Sequence, residues 1–279
     1  MPDVVIALLT YGRAAKATSL AKQLIATLGG RSEHLLIIEN PSEVTIDQNE
    51  LGQGNYTYVL KSRNRGLDNS ILQAACFAKR KSTMIWFLCD DDTLCFERLP
   101  SILDHIKKTD NSVVHVPWAN VDGTTSESLS FNEKYLRMSF LPTVCCDPSP
   151  ISVRDLVHLK GTNYLHISML NEVLNASEDI GEAPLTAGIQ SRNSETRFPV
   201  LETFLFGYSR TLTHKAILPR DQIEKTVYRR ASAALSFFKG KRMSFTQART
   251  FLVEIFSFKF LTFRQKLRFS AKVVLRLWF

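Results

Sequence analysis

The chain has 279 residues, 44% hydrophobic and 22% charged, with a net charge of +8. This is the composition of a folded globular protein, long enough for one large domain or a domain with an appendage, and it excludes disordered and fibrous classes. The charge is uneven: from Arg220 onward 14 basic side chains face only Asp221, Glu224 and Glu254, a surplus of 11, which leaves the rest of the chain at −3.

The predicted elements alternate. "VVIALLT" (Val4 to Thr10) is a β-branched, Leu-rich run and reads as a buried strand. A helix follows, with Leu20, Leu24, Ile25 and Leu28 at helical spacing and Gly29-Gly30 to stop it. "HLLIIEN" is a second strand, closed by Asn40-Pro41-Ser42, and "YTYVLK" a short third one. "LDNSILQAACFAKRK" reads as a helix and "MIWFLC" as a further strand. Beyond it come a helix, "FERLPSILDHIKK", a strand, "SVVHVPW", and a polar surface loop, "NVDGTTSESLSFNEK". "TVCCDPSPISVRDLVHL" and "NYLHISMLNEVLNAS" give two helical patterns, and from about Ile217 the chain turns helical, basic and Phe-rich.

Continuous apolar strands alternating with helices predict an α/β fold with a mostly parallel sheet covered on both faces. Ligands of such sheets bind beyond the carboxyl ends of the strands. Three polar groups stand at those ends: Thr10-Tyr11-Gly12-Arg13, Glu39-Asn40 and the triplet Asp90-Asp91-Asp92. Three adjacent carboxylates repel one another, so they are either solvated at a turn or gathered around a cation.

In order and spacing, "TYGR", "IIENPS", "SRNRGLDNSILQAA" and "WFLCDDDTL" resemble the bacterial family 2 glycosyltransferases of the GT-A fold, over about the first 100 residues. The resemblance implies a GT-A-like, Rossmann-type catalytic domain, placed over 1–216, and the charge and helical pattern mark a basic, aromatic tail over 217–279. It also implies inverting transfer of a sugar from a nucleotide-diphosphate-sugar donor. Thr10, Tyr11, Arg13, Glu39, Asn40, Arg63, Asn64, Asp90 and Asp91 would line the donor site. Asp90 and Asp92 would hold Mg²⁺ or Mn²⁺, a Lewis acid for the departing diphosphate. Glu39 and Pro41 depart from the family, where aspartate and glycine are usual; ordinary strand-end, loop and cap chemistry is the alternative for Glu39, Arg63 and Asn64.

The family takes its catalytic base from a Glu-Asp pair at a helix start. Here Glu178-Asp179 follows the helical pattern instead, and matching by spacing puts His166 near the family's aspartate. His166 is therefore the first expectation for the base and Asp179 the second, with a packed structural histidine as the alternative. Asp147, in "TVCCDPSP", is expected on the acceptor side.

In the tail, Phe263, Leu267, Ser270, Val274 and Leu277 follow a 4-3-4-3 spacing, flanked by Arg264, Arg268, Lys272 and Arg276, with Trp278 and Phe279 at the end. A basic, Phe-rich amphipathic helix suits an anionic membrane surface and, by extension, a lipid-linked glycan acceptor in O-antigen or capsule synthesis. The aromatic residues share the apolar stripe rather than interleaving for base stacking, which argues against nucleic acid; a tail helix packed on the domain is the third reading. The five cysteines are odd in number with no Cys-x-x-Cys pair, and no apolar run reaches ~18 residues. The expectation is a cytoplasmic protein, peripheral at the inner face of the plasma membrane, without a signal peptide, transmembrane span or zinc site. Two other classes stay open. A sugar-nucleotide nucleotidyltransferase would need a Gly-rich loop where "TYGRAAK" has one glycine, and a non-catalytic membrane adaptor would leave the acidic triplet without a purpose.

Overall fold

The computed structural model describes residues 3–91, 93–119, 129–177, 179–189, 207–236 and 243–278, without the side chains of Arg276 and Trp278. Glu178 and Phe279 lie outside the described residues, as does Asp92. The chain divides into two compact units: Met1–Gly161 with Leu165–Glu195, and Thr162–Tyr164 with Thr196–Phe279.

The first unit opens with β1 (Val4–Tyr11), α1 (Ala14–Thr27), β2 (His34–Asn40), β3 (Tyr56–Leu60), α2 (Leu67–Lys81) and β4 (Met84–Cys89). These are the elements expected from the apolar runs. β1 is buried along all but its last residue, and β4 up to Leu88, because both are central strands covered on two faces. α1 gives way at Leu28 just before the Gly29-Gly30 stop, and Gly30 takes a φ of 77°. α2 starts after Gly66 at φ 76°, carries Asp68 in its first turn, and ends on Lys79, Arg80 and Lys81, charges that complement the helix dipole.

Next come β5 (Thr93–Leu94), α3 (Leu99–Lys108), β6 (Val113–His115), β7 (Trp118–Ala119), α4 (Phe131–Arg137), β8 (Val144–Cys146), α5 (Val153–Leu156), α6 (Leu165–Ala176), β9 (Gly181–Glu182) and β10 (Gly188–Ile189). Seven strands form one sheet in the order β3-β2-β1-β4-β8-β6-β9, and β5-β10-β7 form a small second one. β3, β2, β1 and β4 pair in parallel; β8 enters antiparallel between β4 and β6, and β9 returns parallel to β6. The architecture is thus a mostly parallel α/β sheet flanked by helices, as the strand pattern predicts.

Two segments differ from that prediction. "TVCC" forms β8 rather than the start of a helix, because Val144, Cys145 and Cys146 fill a fully buried slot between two strands. The carbonyl of Pro142, just ahead of it, accepts from the indole N–H of both Trp86 (2.8 Å) and Trp118 (3.0 Å), which satisfies two large side chains at once. The end of the supposed loop "NVDGTTSESLSFNEK" is α4, started by a reciprocal capping box between Ser130 and Glu133; residues 120–128 of that loop lie outside the described residues.

The second unit holds α7 (Tyr208–Thr213), α8 (Arg220–Ser236), α9 (Phe245–Ser257) and α10 (Phe263–Trp278). Its core forms where Phe269 of α10 meets Tyr228 of α8 and Phe251 of α9, with ring centroids 5.2 and 6.1 Å apart. Arg230 lies over the ring of Tyr208 at 4.3 Å. Among the described residues no helix is long and apolar enough to cross a membrane.

Candidate active site at the carboxyl edge

The register of the central strands places three chemically active residues in one row. Thr10 pairs with Glu39 across β1 and β2, and Leu9 pairs with Cys89 across β1 and β4, so Thr10 is level with Asp90. The apolar runs end together because parallel neighbours share both direction and register. Beyond Tyr11, Gly12 adopts φ 69°, a left-handed turn that suits glycine and directs the chain into α1 by way of Arg13.

The side chains close a network between residues some 80 positions apart. The Thr10 hydroxyl donates to Asp90 Oδ2. Arg13 reaches both neighbouring carboxylates, with Nη2 at 2.5 Å from Asp90 Oδ1 and Nη1 at 2.9 Å from Asp91 Oδ2. The Asp90 side chain is fully buried. Burial pushes its carboxyl up, opposed by Thr10 and Arg13. Burial also works against the Arg13 charge, but the two aspartates outweigh it and raise its pKa. Asp91 thus turns back to Arg13 instead of facing away from Asp90, as an extended triplet would have it.

Glu39 is completely buried. Its Oε2 accepts from the Tyr58 hydroxyl at 2.5 Å and the Ile46 N–H at 3.0 Å, while Oε1 has no hydrogen-bond partner among the described residues. Burial, and then Glu39, hold the Tyr58 phenol protonated well above its ordinary value. Oδ1 of Asp90 is buried without a hydrogen bond as well, and buried carboxylate oxygens without a donor are uncommon in folded proteins. Tyr58 went unnoticed in the sequence; the two-residue alternation of "YTYVL" beside Glu39's strand was the available signal.

The remaining donor-site candidates divide by burial. Asn40 braces the loop into α2: its amide donates to Ser70 Oγ at 3.1 Å and its carbonyl accepts the Arg65 N–H at 3.3 Å. Asn64 accepts the Gly66 N–H at 2.9 Å, so its side chain performs the cap chemistry named as its alternative. Arg63 is exposed on the same loop, and Tyr11 is exposed beside Arg13.

The expected base and acceptor residues lie elsewhere. Gly181 pairs with Val114, so Asp179 is level with Ser112, and the Asp147 N–H donates to the Ser112 carbonyl at 2.8 Å. Val113 and Ile85 both pair with Cys146, which puts that level at Met84, six residues before Asp90. At a strand rise of about 3.3 Å per residue, Asp147 and Asp179 stand roughly 20 Å from the carboxyl edge, at the opposite end of the sheet. Asp179 accepts from Asn111, on a loop distant in sequence, at 2.6 Å, and Asp147 accepts from Ser149 at 2.6 and 2.8 Å, ordinary turn chemistry. The cause for Asp147 is the antiparallel entry of β8, which carries the end of "VCC" toward the amino ends of its neighbours. His166 sits in the first turn of α6, where the Leu165 N–H donates to Asp68 at 3.2 Å, but it is only 2% exposed and its Nε2 lies 3.3 Å from the Ser139 carbonyl. Burial drives its pKa down to about 4. An enclosed imidazole of that basicity matches the packed core histidine stated as the alternative for it.

The expected metal pair is Asp90 with Asp92, and Asp92 lies outside the described residues. Thr10 bonds one oxygen of Asp90, and Arg13 lies within ion-pair distance of the other, which makes no hydrogen bond among the described residues, and of Asp91. Among the described residues no group of three His, Cys, Asp or Glu side chains could hold a metal ion.

No protein-family profile matches the chain, and no curated protein matches it significantly. Solved structures do. The S. aureus TarS 1-349 structure in complex with UDP-GlcNAc superposes with a TM-score of 0.64 at 15% identity, covering 99% of this chain and 89% of that one. The chain covers 54% of the longer S. aureus TarS structure. Glucosyl-3-phosphoglycerate synthase from Mycobacterium tuberculosis, in complex with Mg²⁺ and UDP, superposes at 0.51 and 12% identity, over 78% and 80% of the two chains. The mostly parallel sheet with its polar carboxyl edge is therefore the GT-A fold, and the structural neighbours of this chain are family 2-like glycosyltransferases.

Proposed function

We propose that the protein is an inverting glycosyltransferase that takes its sugar from a UDP-type nucleotide donor. The observation that carries this reading is the unpartnered Oε1 of Glu39, buried in the same row as Thr10 and Asp90. A ribose hydroxyl or a base N–H supplies the donor that this oxygen lacks. Arg13 adds fixed positive charge beside the aspartates, where the diphosphate leaves. In the transfer, the acceptor oxygen bonds to the anomeric carbon as the bond from that carbon to the phosphate oxygen breaks, and the nucleoside diphosphate departs with the electron pair. The acceptor's proton leaves to a general base.

The acceptor is proposed to be a glycan held at an anionic membrane surface, as in bacterial surface polysaccharide synthesis at the inner face of the plasma membrane. Support comes from α10. Within the second unit its buried residues are Phe269 and Val273, while Gln265 and Lys266 bond Glu224 and the Phe256 carbonyl, and most of the stripe read as membrane-facing stays exposed. Phe263, Leu267, Val274 and Leu275 remain exposed, flanked by exposed Arg264, Arg268 and Lys272. On α9, Phe245, Val253 and Phe256 are exposed too. Apolar and basic groups presented together to solvent fit a layer that has both an apolar interior and an anionic surface.

Calorimetric titration with UDP, UDP-sugars and GDP tests the donor. UDP binding that disappears in Glu39→Ala supports the site, and equal, unaffected binding of all nucleotides refutes it. Sedimentation with phosphatidylserine vesicles tests the surface: the full chain is expected to pellet at low salt, and Phe263→Ser/Leu267→Ser to remain in the supernatant. If wild type also remains, the membrane-held acceptor fails while the donor site stands.

A further inference from the structure

A cavity of about 460 Å³ opens on the flank of α2, between the edge strand β3 and the segment that carries α5. None of the proposed donor-site side chains lines it. Three cations do: Lys61 at the end of β3, Arg65 ahead of α2, and Lys160. No carboxylate lines the cavity, and among the described residues neither Arg65 nor Lys160 has an ion-pair partner. Lys61 is buried and gives one of its three N–H bonds to Ser70 Oγ at 2.7 Å, leaving two. Burial first, and then repulsion from Arg65 and Lys160, lower its pKa to about 8, so the three charges are felt together. Asn69 and Gln73, one turn apart on α2, add neutral hydrogen-bonding groups.

The walls are tied down. Lys79 of α2 donates to the Ile151 carbonyl at 2.8 Å, and the Ser152 N–H donates to Glu172 at 2.7 Å, which holds Val153 at the rim. Unpaired cations gathered around one concavity repel each other and weaken the fold unless an anion joins them. The volume exceeds a bare phosphate ion several-fold and falls in the range of small-molecule sites. Leu72 and Val153 supply apolar surface for the remainder of such a ligand.

We propose that this cavity binds the phosphate group of a small organic phosphate monoester through Lys61, Arg65 and Lys160, at a place separate from the donor nucleotide. A dianionic phosphate has acceptor oxygens for all three cations, and charge-assisted hydrogen bonds of this kind are the strong ones.

Cys76 lines the cavity and is partly exposed, which makes it a local reporter. The experiment measures iodoacetamide labelling of the full chain by peptide mass mapping, with Cys89 and Cys95 as internal controls. It is run with inorganic phosphate or glycerol 3-phosphate, each with and without saturating UDP. The expected result is that glycerol 3-phosphate slows labelling of Cys76 about tenfold, whether or not UDP is present, and more strongly than inorganic phosphate does. In Arg65→Gln/Lys160→Ala the protection is expected to disappear while UDP binding is unchanged. Equal protection by both probes would assign the site to free phosphate and overturn the monoester. Unchanged labelling, protection abolished by UDP, or protection that survives in the double variant would overturn the site itself. Should UDP fail to bind while Cys76 is still protected, the donor reading falls and this site remains.

Discussion

The two ends of the central sheet both carry carboxylates, and they use them in opposite ways. At the amino end, Asp147 and Asp179 are bonded to Ser149 and Asn111, groups of the adjoining turns. At the carboxyl end, Asp90 and Glu39 are buried, and their partners come from other strands: Thr10 and Arg13 for one, Tyr58 for the other. An exposed acid in a turn costs little and stabilises little. A buried acid costs several kcal/mol unless it is paired, so two of them at one edge, each with an oxygen that makes no hydrogen bond, support the proposed donor site there.

The comparison breaks first at Asp90. Asp90→Ala leaves Arg13 paired only with Asp91 and removes the buried partner of Thr10, and is expected to cost about 1–3 kcal/mol of stability. UDP affinity should fall at least about a hundredfold, or ~2.7 kcal/mol. Urea unfolding and calorimetry measure both; a loss of affinity with no loss of stability would mean that the network forms only with ligand.

Acid sharpens the assignment of His166 to the core. His166 and His115 are both held down to about 4, by burial first, against an ordinary value of 6.5. The unfolded chain therefore takes up these protons before the folded one. Their contribution to stability is complete above about pH 6.5, shrinks as pH falls, and is gone below about pH 4, by roughly 3 kcal/mol for each. His166→Gln is expected to flatten the acid limb of a stability-versus-pH curve. A limb unchanged by the substitution would show an imidazole that protonates freely, as a reachable base would.

A smaller effect is expected at Tyr58→Phe, which removes one donor from Glu39 and leaves the ring packed. About 1 kcal/mol of stability and a several-fold loss of UDP affinity should follow. Thermal denaturation with and without UDP separates the two, and an unchanged ligand-induced shift would mean that Tyr58 does not orient Glu39. The smallest effects belong to the amino end. Asp147→Asn and Asp179→Asn are each expected within about 0.5 kcal/mol of wild type, with UDP binding and any transferase activity intact. A large fall in turnover for either would return it to the list of candidate bases.

The sequence by itself determined the strands β1 to β4, the helices between them, and the edge at which their polar ends meet. Long apolar runs closed by polar or turn residues are local signals, and parallel strands that begin alike end alike. It also placed Thr10, Arg13, Glu39 and Asp90 among the candidates, since each stands at such an end. What only the tertiary structure decided was direction and pairing. Nothing in "TVCCDPSP" announces that Val144–Cys146 enter the sheet antiparallel, yet that reversal moves Asp147 to the far edge. In α10 the spacing identified the apolar stripe that stays exposed but not the inward face. Phe269 meets Tyr228 of α8 and Phe251 of α9, while Phe263, Leu267 and Val274 meet solvent, because the choice of inward face depends on helices that fold against it from elsewhere in the chain. The same holds for Arg13, whose two aspartate partners are 77 and 78 residues away and are brought to it only by the register of β1 against β4. Local pattern sets what an element is; contacts distant in sequence set which way it runs and what it touches.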